Sequence, residues 1–199
     1  GPAVDALLVQ QQALGPYKVP GLAASSPQRD AMQLKLINRT TVEVADGITL
    51  KNILGYVEAR SFTYYDRAGS PYPILTIAAP PTTAPKPTRQ ISEELQLTGN
   101  VFGDRLTFVL GGFYLKNSQD PVLSFNRTLG SLSGTRADLE TETRALYAEG
   151  EYHLGGGLDG LHLLAGYRYS WDKRMAAQEQ VNAAGVTGAS YSERGEWKK

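Results

Sequence analysis

The sequence contains no cysteine, so disulfide scaffolds and thiolate metal sites are excluded. It has no excess of charge, because 20 Lys+Arg balance 20 Asp+Glu, and this balance argues against nucleic acid as a partner. No apolar run approaches the roughly 20 residues that a membrane-spanning helix requires. If this chain enters a membrane, we therefore expect it to do so through strands.

No signal peptide is visible in these 199 residues, which begin with glycine rather than methionine. We therefore expect ends produced by processing or by excision from a longer protein. Residues 1–32 are rich in Gln, Ala, Pro and Ser, and we predict an extracellular loop or linker there, with one or two helical turns in "DALLVQQQAL". Residues 33–199 are predicted to form a partial β-barrel domain.

The sequence does contain segments in which apolar and polar residues alternate with a period of two. In "GLHLLAGYRYSWDKR" (160–174), apolar and aromatic residues occupy one side of an extended chain and mostly small, polar or charged residues the other. This pattern predicts about seven strands, at 33–45, 48–65, 90–102, 105–117, 140–154, 160–173 and 190–199. Most of these runs exceed the usual strand of about 5–6 residues, and they satisfy the roughly 9–11 that a tilted membrane strand needs.

The connections alternate between short and long. The predicted short turns are Asp46-Gly47, Gly103-Asp104 and the segment 155–160, and the long connections are 66–88, 118–139 and 174–189. Short periplasmic turns that alternate with long extracellular loops are typical of outer-membrane barrels. The sequence therefore predicts an all-β, transmembrane, antiparallel up-and-down barrel.

The two faces of the strands support this prediction. The apolar side carries many small residues, which suit lipid better than a shared core, and aromatic residues cluster near strand ends, as in an interfacial girdle. The predicted girdle residues are Tyr152, Tyr167, Tyr169 and Trp171, and the predicted lumen-facing residues are Glu94, Glu149, Glu151 and Arg168. In strand 48–65, Asn52 interrupts the apolar side, and we predict a β-bulge there.

Three segments resemble TonB-dependent outer-membrane receptors. "DGITLKNILGY" (46–56) resembles their "LTLxxIxGY" strand, and "RQISEELQLTGNVFGDRLTFVLGGFYLKN" (89–117) resembles their hairpin of "SxELxLxG" and "RLxxVxGxFYxxx". "TRALYAEGEYHL…LHLLAGYRYSWDKR" (143–174) resembles a further hairpin of the family. The three matches follow the family's usual order and cover most of 33–174.

The resemblance implies a barrel of the 22-stranded type with a plugged lumen. It implies uptake of iron–siderophore complexes, cobalamin or other scarce nutrients across the bacterial outer membrane, driven through TonB. The chain shows no plug domain, TonB box or C-terminal strand ending in an aromatic residue, so we expect a mid-barrel fragment. The expected partners are outer-membrane lipid, the receptor's own plug domain, the TonB system and a small chelate or nutrient. No cofactor and no enzymatic activity are expected.

The predicted ligand-binding residues lie in or beside the extracellular loops. They are Tyr64, Tyr65, Arg67, Tyr72 and Arg127, which would combine aromatic rings with cations suited to an aromatic, anionic chelate. Each also has a plainer interpretation, since tyrosines at strand ends are typical of a girdle and exposed arginines are usually solvated.

Two other groups of residues have the chemistry of a candidate site. Glu149 and Glu151 share a face, but charge that faces a lumen explains the pair better than acid–base catalysis. His153 and His162 flank the turn 155–160 and could bind a metal, but Asp159 is the only fitting third ligand nearby in the sequence. We therefore predict no catalytic residues and no metal site.

Two alternatives stay open at this point. The chain could belong to another outer-membrane barrel, such as a porin or a barrel enzyme, or to a soluble β-rich binding or structural protein. The soluble alternative requires the apolar faces to point into a protein core, whereas the membrane interpretation requires them to point toward lipid.

Overall fold

The computed structural model describes residues 2–16, 18, 28–66, 75–78, 86–128, 131–182 and 187–198. Within these ranges the chain forms one helix and a single antiparallel sheet. The elements are α1 (Pro2–Leu14), β1 (Gln28–Ala45), β2 (Ile48–Asp66), β3 (Leu75–Ala78), β4 (Thr88–Val101), β5 (Leu106–Thr128), β6 (Ser131–His153), a 3₁₀ turn (Gly156–Leu158), β7 (His162–Asn182) and β8 (Thr187–Lys198). No helix in the described residues is long and apolar enough to cross a membrane.

The sheet is an up-and-down meander with one branch. The seven long strands pair in the order β1-β2-β4-β5-β6-β7-β8, and the short β3 lies between the far ends of β2 and β5. All pairs are antiparallel, which confirms the predicted all-β, antiparallel architecture. Most strands begin within three residues of their predicted starts, but β1 starts at Gln28, five residues earlier than predicted, and β6 starts at Ser131, nine residues earlier.

The three short turns that the sequence predicted lie at one end of the sheet, which we call the turn end. Gly47 has φ +67° between β1 and β2, Gly103 has φ +65° between β4 and β5, and the 3₁₀ turn joins β6 to β7. A positive φ favours glycine because it has no Cβ. Asn100 N–H donates to Gly47 O at 3.0 Å, which ties the first of these turns to the neighbouring strand.

The sequence predicted long loops at 118–139 and 174–189, and this prediction is wrong. β5 continues to Thr128 and β6 begins at Ser131, while β7 continues to Asn182 and β8 begins at Thr187. The polar, Gly- and Ser-containing composition suggested loops, but cross-strand hydrogen bonding keeps these segments extended. The strands therefore project well beyond a membrane-spanning length at the end opposite the turns, which we call the open end.

The bulge predicted at Asn52 is also wrong. The pairing of β2 with β1 and β4 runs without a break through Asn52. Asn52 stays on the apolar side because its Nδ2 donates to Glu93 Oε1 of β4 at 3.0 Å, so the two polar side chains satisfy each other. The register shifts occur elsewhere, between Glu43 and Ala45, Gln119 and Val122, and Glu179 and Val181.

The register assigns each side chain to one of two faces, because paired residues in adjacent strands point to the same side. One face carries a continuous apolar stripe across β2 and β4–β7, which we call the apolar belt. Its members are Ile48, Leu50, Leu54, Leu95, Leu97, Leu106, Phe108, Leu110, Leu146, Ala148, Leu163 and Ala165. The opposite side, the polar face, carries Glu94, Glu149, Glu151 and Arg168.

The belt is not covered by a second layer of the described structure. Leu95 is 47% exposed, Leu146 61% and Leu163 55%, and the buried apolar residues are Ala145 and Val181. A soluble sheet of this size would bury one face in a core. A single-layer sheet with an exposed apolar stripe matches the wall of a membrane barrel, whose outer surface contacts lipid.

Candidate functional site

The belt has the length and boundaries of a membrane-spanning band. Along β5 it extends over the nine residues from Leu106 to Tyr114, close to the roughly 9–11 that cross the hydrocarbon in a tilted strand. On β4 the belt face also carries Glu93, next to Leu95. Toward the open end, charged residues follow the belt on the same face of the strands. These residues are Glu58, Arg89, Lys116, Arg144 and Lys173.

The predicted girdle residues all lie on the belt face, but not at one level. Tyr152 lies at the turn end, whereas Tyr169 and Trp171 lie toward the open end of β7, where their rings pack edge to face with centroids 4.7 Å apart. Tyr167 is midway along the belt on β7, four residues from Leu163 and four from Trp171, and is 70% exposed.

Beyond the belt, ion pairs form within β2 and between β2 and β4. Arg60 Nη2 lies 2.6 Å from Glu58 Oε1, and Arg89 Nε lies 3.2 Å from Glu58 Oε2. Hydrogen bonds from Arg60 and then from Tyr56 lower the pKa of Glu58, which lies outside the belt. These exposed pairs fit a surface in contact with water and lipid headgroups, where each contributes little stability.

A concavity of about 950 Å³ lies where β5–β8 leave the belt. Its lining includes Tyr114, Arg144, Trp171 and Lys173, which all belong to the belt face. Glu93 and Leu95 of β4 also line it, as do Phe113, Ala145 and Asp172, whose positions belong to the polar face.

The polar face contains a hydrogen-bonded cluster that the sequence did not reveal. Tyr147 Oη donates to Glu94 Oε1 at 2.6 Å, and Gln96 Nε2 donates to Glu94 Oε1 at 3.0 Å and to Tyr147 Oη at 3.1 Å. Glu94 and Gln96 are on β4, whereas Tyr147 is two strands away on β6. We call Glu94, Gln96, Tyr147, Phe113 and Arg168 the polar-face cluster.

Gly111 explains how Tyr147 reaches across an intervening strand. Gly111 on β5 pairs with both Gln96 and Tyr147, and the Tyr147 ring occupies the space that a side chain at this position would fill. An aromatic ring laid over a cross-strand glycine is a recurrent feature of β-sheets. The alternation of the sequence shows that Tyr147 shares a face with Glu149, but not that it faces a glycine.

Arg168 extends the cluster to β7. Its Cζ lies 5.6 Å from the Phe113 ring centroid and 5.7 Å from that of Tyr147, and its Nε donates to Ser170 Oγ at 3.3 Å. Cation–π contacts at these distances hold the guanidinium against the wall. The cluster thus presents a carboxylate, a phenol and a guanidinium on one face, a surface suited to polar protein groups or hydrated solutes.

Of the predicted ligand-binding residues, the structure places Tyr64, Tyr65 and Arg127, and their backbones lie at the open end. In the backbone pairing, Tyr65 lies opposite Ile77 of β3, and Ile77 lies opposite Asn126 of β5. Arg127 lies in the next row, opposite Thr76. The pairing therefore brings the ends of β2 and β5 to within two strand spacings, roughly 10 Å.

Four of these predicted residues are described only in part or not at all, and Arg127 is placed by its backbone alone. Arg67 and Tyr72 lie outside the described residues. Tyr64 is placed by its backbone at the end of β2, opposite Gln28.

Comparison with known proteins identifies the class. A family model described as "TonB dependent receptor-like, beta-barrel" matches residues 21–197, which is most of the chain. The chain therefore belongs to the TonB-dependent receptor β-barrel family, whose members are receptors and transporters rather than enzymes. This confirms the resemblance drawn from the strand motifs and excludes a soluble β-rich protein and a barrel enzyme.

A solved structure shows the same fold. The ferric yersiniabactin uptake receptor FyuA from Yersinia pestis matches 87% of this chain with a TM-score of 0.61 and 15% sequence identity. The match covers 24% of the FyuA chain, so this chain spans about a quarter of that receptor's length. No curated protein sequence matches the chain.

Proposed function

We propose that this chain forms part of the barrel wall of an outer-membrane receptor that takes up an iron–siderophore complex or another scarce nutrient, driven through TonB. The observation that carries the proposal is the family match over residues 21–197. The exposed apolar belt, bounded by aromatic and charged residues, supports a position in the bacterial outer membrane.

The proposed ligand site is at the open end of the sheet. Tyr64, Tyr65, Arg67, Tyr72 and Arg127 would supply aromatic rings and guanidinium groups to an aromatic, anionic chelate. The pairing of β3 with both β2 and β5 supports this assignment, because it brings two of the segments that carry these residues close together.

The polar face is proposed to line the lumen and to face the receptor's own plug domain. Glu94, Glu149, Glu151 and Arg168 all lie on this face. A plug in the lumen needs polar partners, since a plugged barrel encloses protein and water rather than lipid. In this proposal TonB contacts the receptor through segments other than the barrel wall described here.

Uptake by cells tests the proposal. Cells that express the intact polypeptide, with and without a functional TonB system, are supplied with a panel of radiolabelled ferric siderophores and cobalamin. We expect accumulation of at least one of these nutrients to require both the polypeptide and TonB. Accumulation that persists without TonB would contradict the proposal.

A matched pair of arginine substitutions tests the ligand site. Arg127→Ala should weaken binding of the transported nutrient by about 10- to 100-fold, because a hydrogen bond to a charged group contributes about 1.5–3 kcal/mol. Arg136→Ala is the control, since Arg136 lies on β6 and pairs with Glu179 at 3.6 Å. Equal effects of the two substitutions on binding to purified receptor would contradict the site.

A further inference from the structure

Three side chains with metal-ligating atoms meet at the turn end of the sheet. Glu151 and His153 lie at the end of β6, and His162 lies at the start of β7. One ligand atom from each lies within 4.8 Å of the other two. The sequence suggested Asp159 as the third ligand beside the two histidines, but the structure places Glu151 there instead.

The strand register explains why these residues meet. Leu154 N–H donates to Leu161 O at 3.0 Å, and the next pair inward is His153 with His162. The two imidazole rings have centroids 4.1 Å apart. Glu151 lies two residues before His153 and therefore on the same face, so its carboxylate reaches His162 diagonally.

The distances suit a small divalent cation. Oε1 of Glu151 lies 3.0 Å from Nδ1 of His162 and 3.7 Å from Nε2 of His153. Tetrahedral zinc, with bonds of about 2.0–2.1 Å, holds neighbouring ligand atoms about 3.4 Å apart. The third spacing, between the ligand nitrogens of the two histidines, is within 4.8 Å.

We propose that Glu151, His153 and His162 form a binding site for a divalent transition metal, with Zn²⁺ as the representative ion. Two imidazoles and one carboxylate suit zinc and its first-row neighbours, whereas Ca²⁺ and Mg²⁺ prefer sites built from oxygen ligands. The side chains are 41–46% exposed, so an ion has a path to them. Three protein ligands leave a coordination position for water or for another group.

Metal bound here would join β6 to β7 across the hairpin, beside the 3₁₀ turn. The site is on the polar face at the turn end, away from the proposed ligand residues at the open end. It is therefore distinct from the nutrient site, and it does not depend on the proposed transport function.

Calorimetric titration of Zn²⁺ into the intact polypeptide, purified in detergent and freed of metal, tests the site. We expect one ion bound per chain, with affinity weakened at least about tenfold by His153→Gln, His162→Gln or Glu151→Gln. Two control carboxylates are Glu149 on the same face and Asp159 in the turn. Glu149→Gln and Asp159→Asn should change the affinity by less than about twofold.

X-ray absorption at the zinc edge supplies a second measurement, in which two imidazoles should appear in the coordination shell. The proposal would be overturned by the absence of zinc binding at 100-fold molar excess of the ion. It would also be overturned by binding that survives both histidine substitutions, or by equal losses in the control variants. Circular dichroism shows whether each variant is folded, so a loss of binding is assigned only to folded protein.

Discussion

Gly111 of β5 has no side chain, and this allows Tyr147 of β6 to contact residues of β4. The ring of Tyr147 lies over Gly111 and so reaches Glu94 and Gln96 on β4. The cluster depends on this close approach, because any Cβ at position 111 would overlap the ring. A glycine in the interior of a strand is otherwise unfavourable, so the packing of the ring accounts for its presence.

Gly111→Ala is therefore expected to destabilise the barrel by about 1–3 kcal/mol, the usual cost of overpacking. Gly112→Ala is the matched control, since a Cβ there would meet Leu146 Cδ2 at an ordinary 3.6 Å. We expect the control to be neutral or slightly stabilising, because alanine restricts the unfolded chain. Urea unfolding in detergent measures both, and equal midpoints would contradict this account of the glycine.

Removing the Tyr147 hydroxyl tests the hydrogen bonds separately from the ring. Tyr147→Phe should cost about 1–3 kcal/mol, because Glu94 and Gln96 lose a partner within the cluster. Tyr167→Phe on the belt face is the control and should change stability by less than about 0.5 kcal/mol. The same urea unfolding measures the stability of both variants. A larger effect at Tyr167 would show that the hydrogen bonds of the cluster contribute nothing to stability.

At the scale of the strand, β7 shows both environments of the wall in adjacent residues. Leu163 belongs to the apolar belt and pairs with Tyr152, whereas Leu164 is on the polar face opposite Glu151. Both leucines are more than half exposed in the sheet. Burial alone therefore does not distinguish the two leucines. The difference between them is the medium on each side of the wall.

Spin labels at these two positions test the orientation of the strand. The chain contains no cysteine, so Leu163→Cys and Leu164→Cys each introduce a unique labelling site within it. In the intact polypeptide in lipid bilayers, the label at 163 should collide mainly with oxygen, which partitions into lipid. The label at 164 should collide mainly with a water-soluble nickel chelate. The reverse preference would place the belt inside the barrel and contradict the assignment of faces.

At the scale of the whole molecule, the described sheet has two free edges. Among the described strands, β1 pairs with β2 alone and β8 with β7 alone. Free edges promote pairing with other chains, and the uncovered belt promotes hydrophobic association. In a complete barrel, further strands would cover both edges and lipid would cover the belt.

The 199-residue chain alone is therefore expected to aggregate when denaturant is diluted into buffer without detergent. Light scattering and size-exclusion chromatography measure this, and detergent micelles should reduce the aggregation because they cover the apolar belt. A monodisperse monomer in plain buffer would show that the belt is covered by the chain itself, which would contradict the membrane assignment.

Much of the architecture was predictable from the sequence because alternation is a local property. In a strand, residues spaced two apart share a face, so the alternation within each segment predicts its apolar and polar sides. The belt, the polar face and the tight turns were therefore predictable from the sequence. The family motifs occur in strands and turns of this kind. The lengths of the hairpins beyond the membrane were not predictable, because their polar segments lack strong alternation and stay extended through cross-strand pairing.

The sequence by itself determined the antiparallel β architecture, the membership of each face and the family of the protein. Only the tertiary structure decided which side chains meet. The contact of Tyr147 with Glu94 over Gly111 depends on the pairing of β4, β5 and β6. The absence of a bulge at Asn52 depends on the pairing of β2 with β1 and β4. The approach of Glu151 to His162 depends on how two strands pair across a turn. Register arises from hydrogen bonds between residues distant in sequence, and a shift by one residue would exchange the faces.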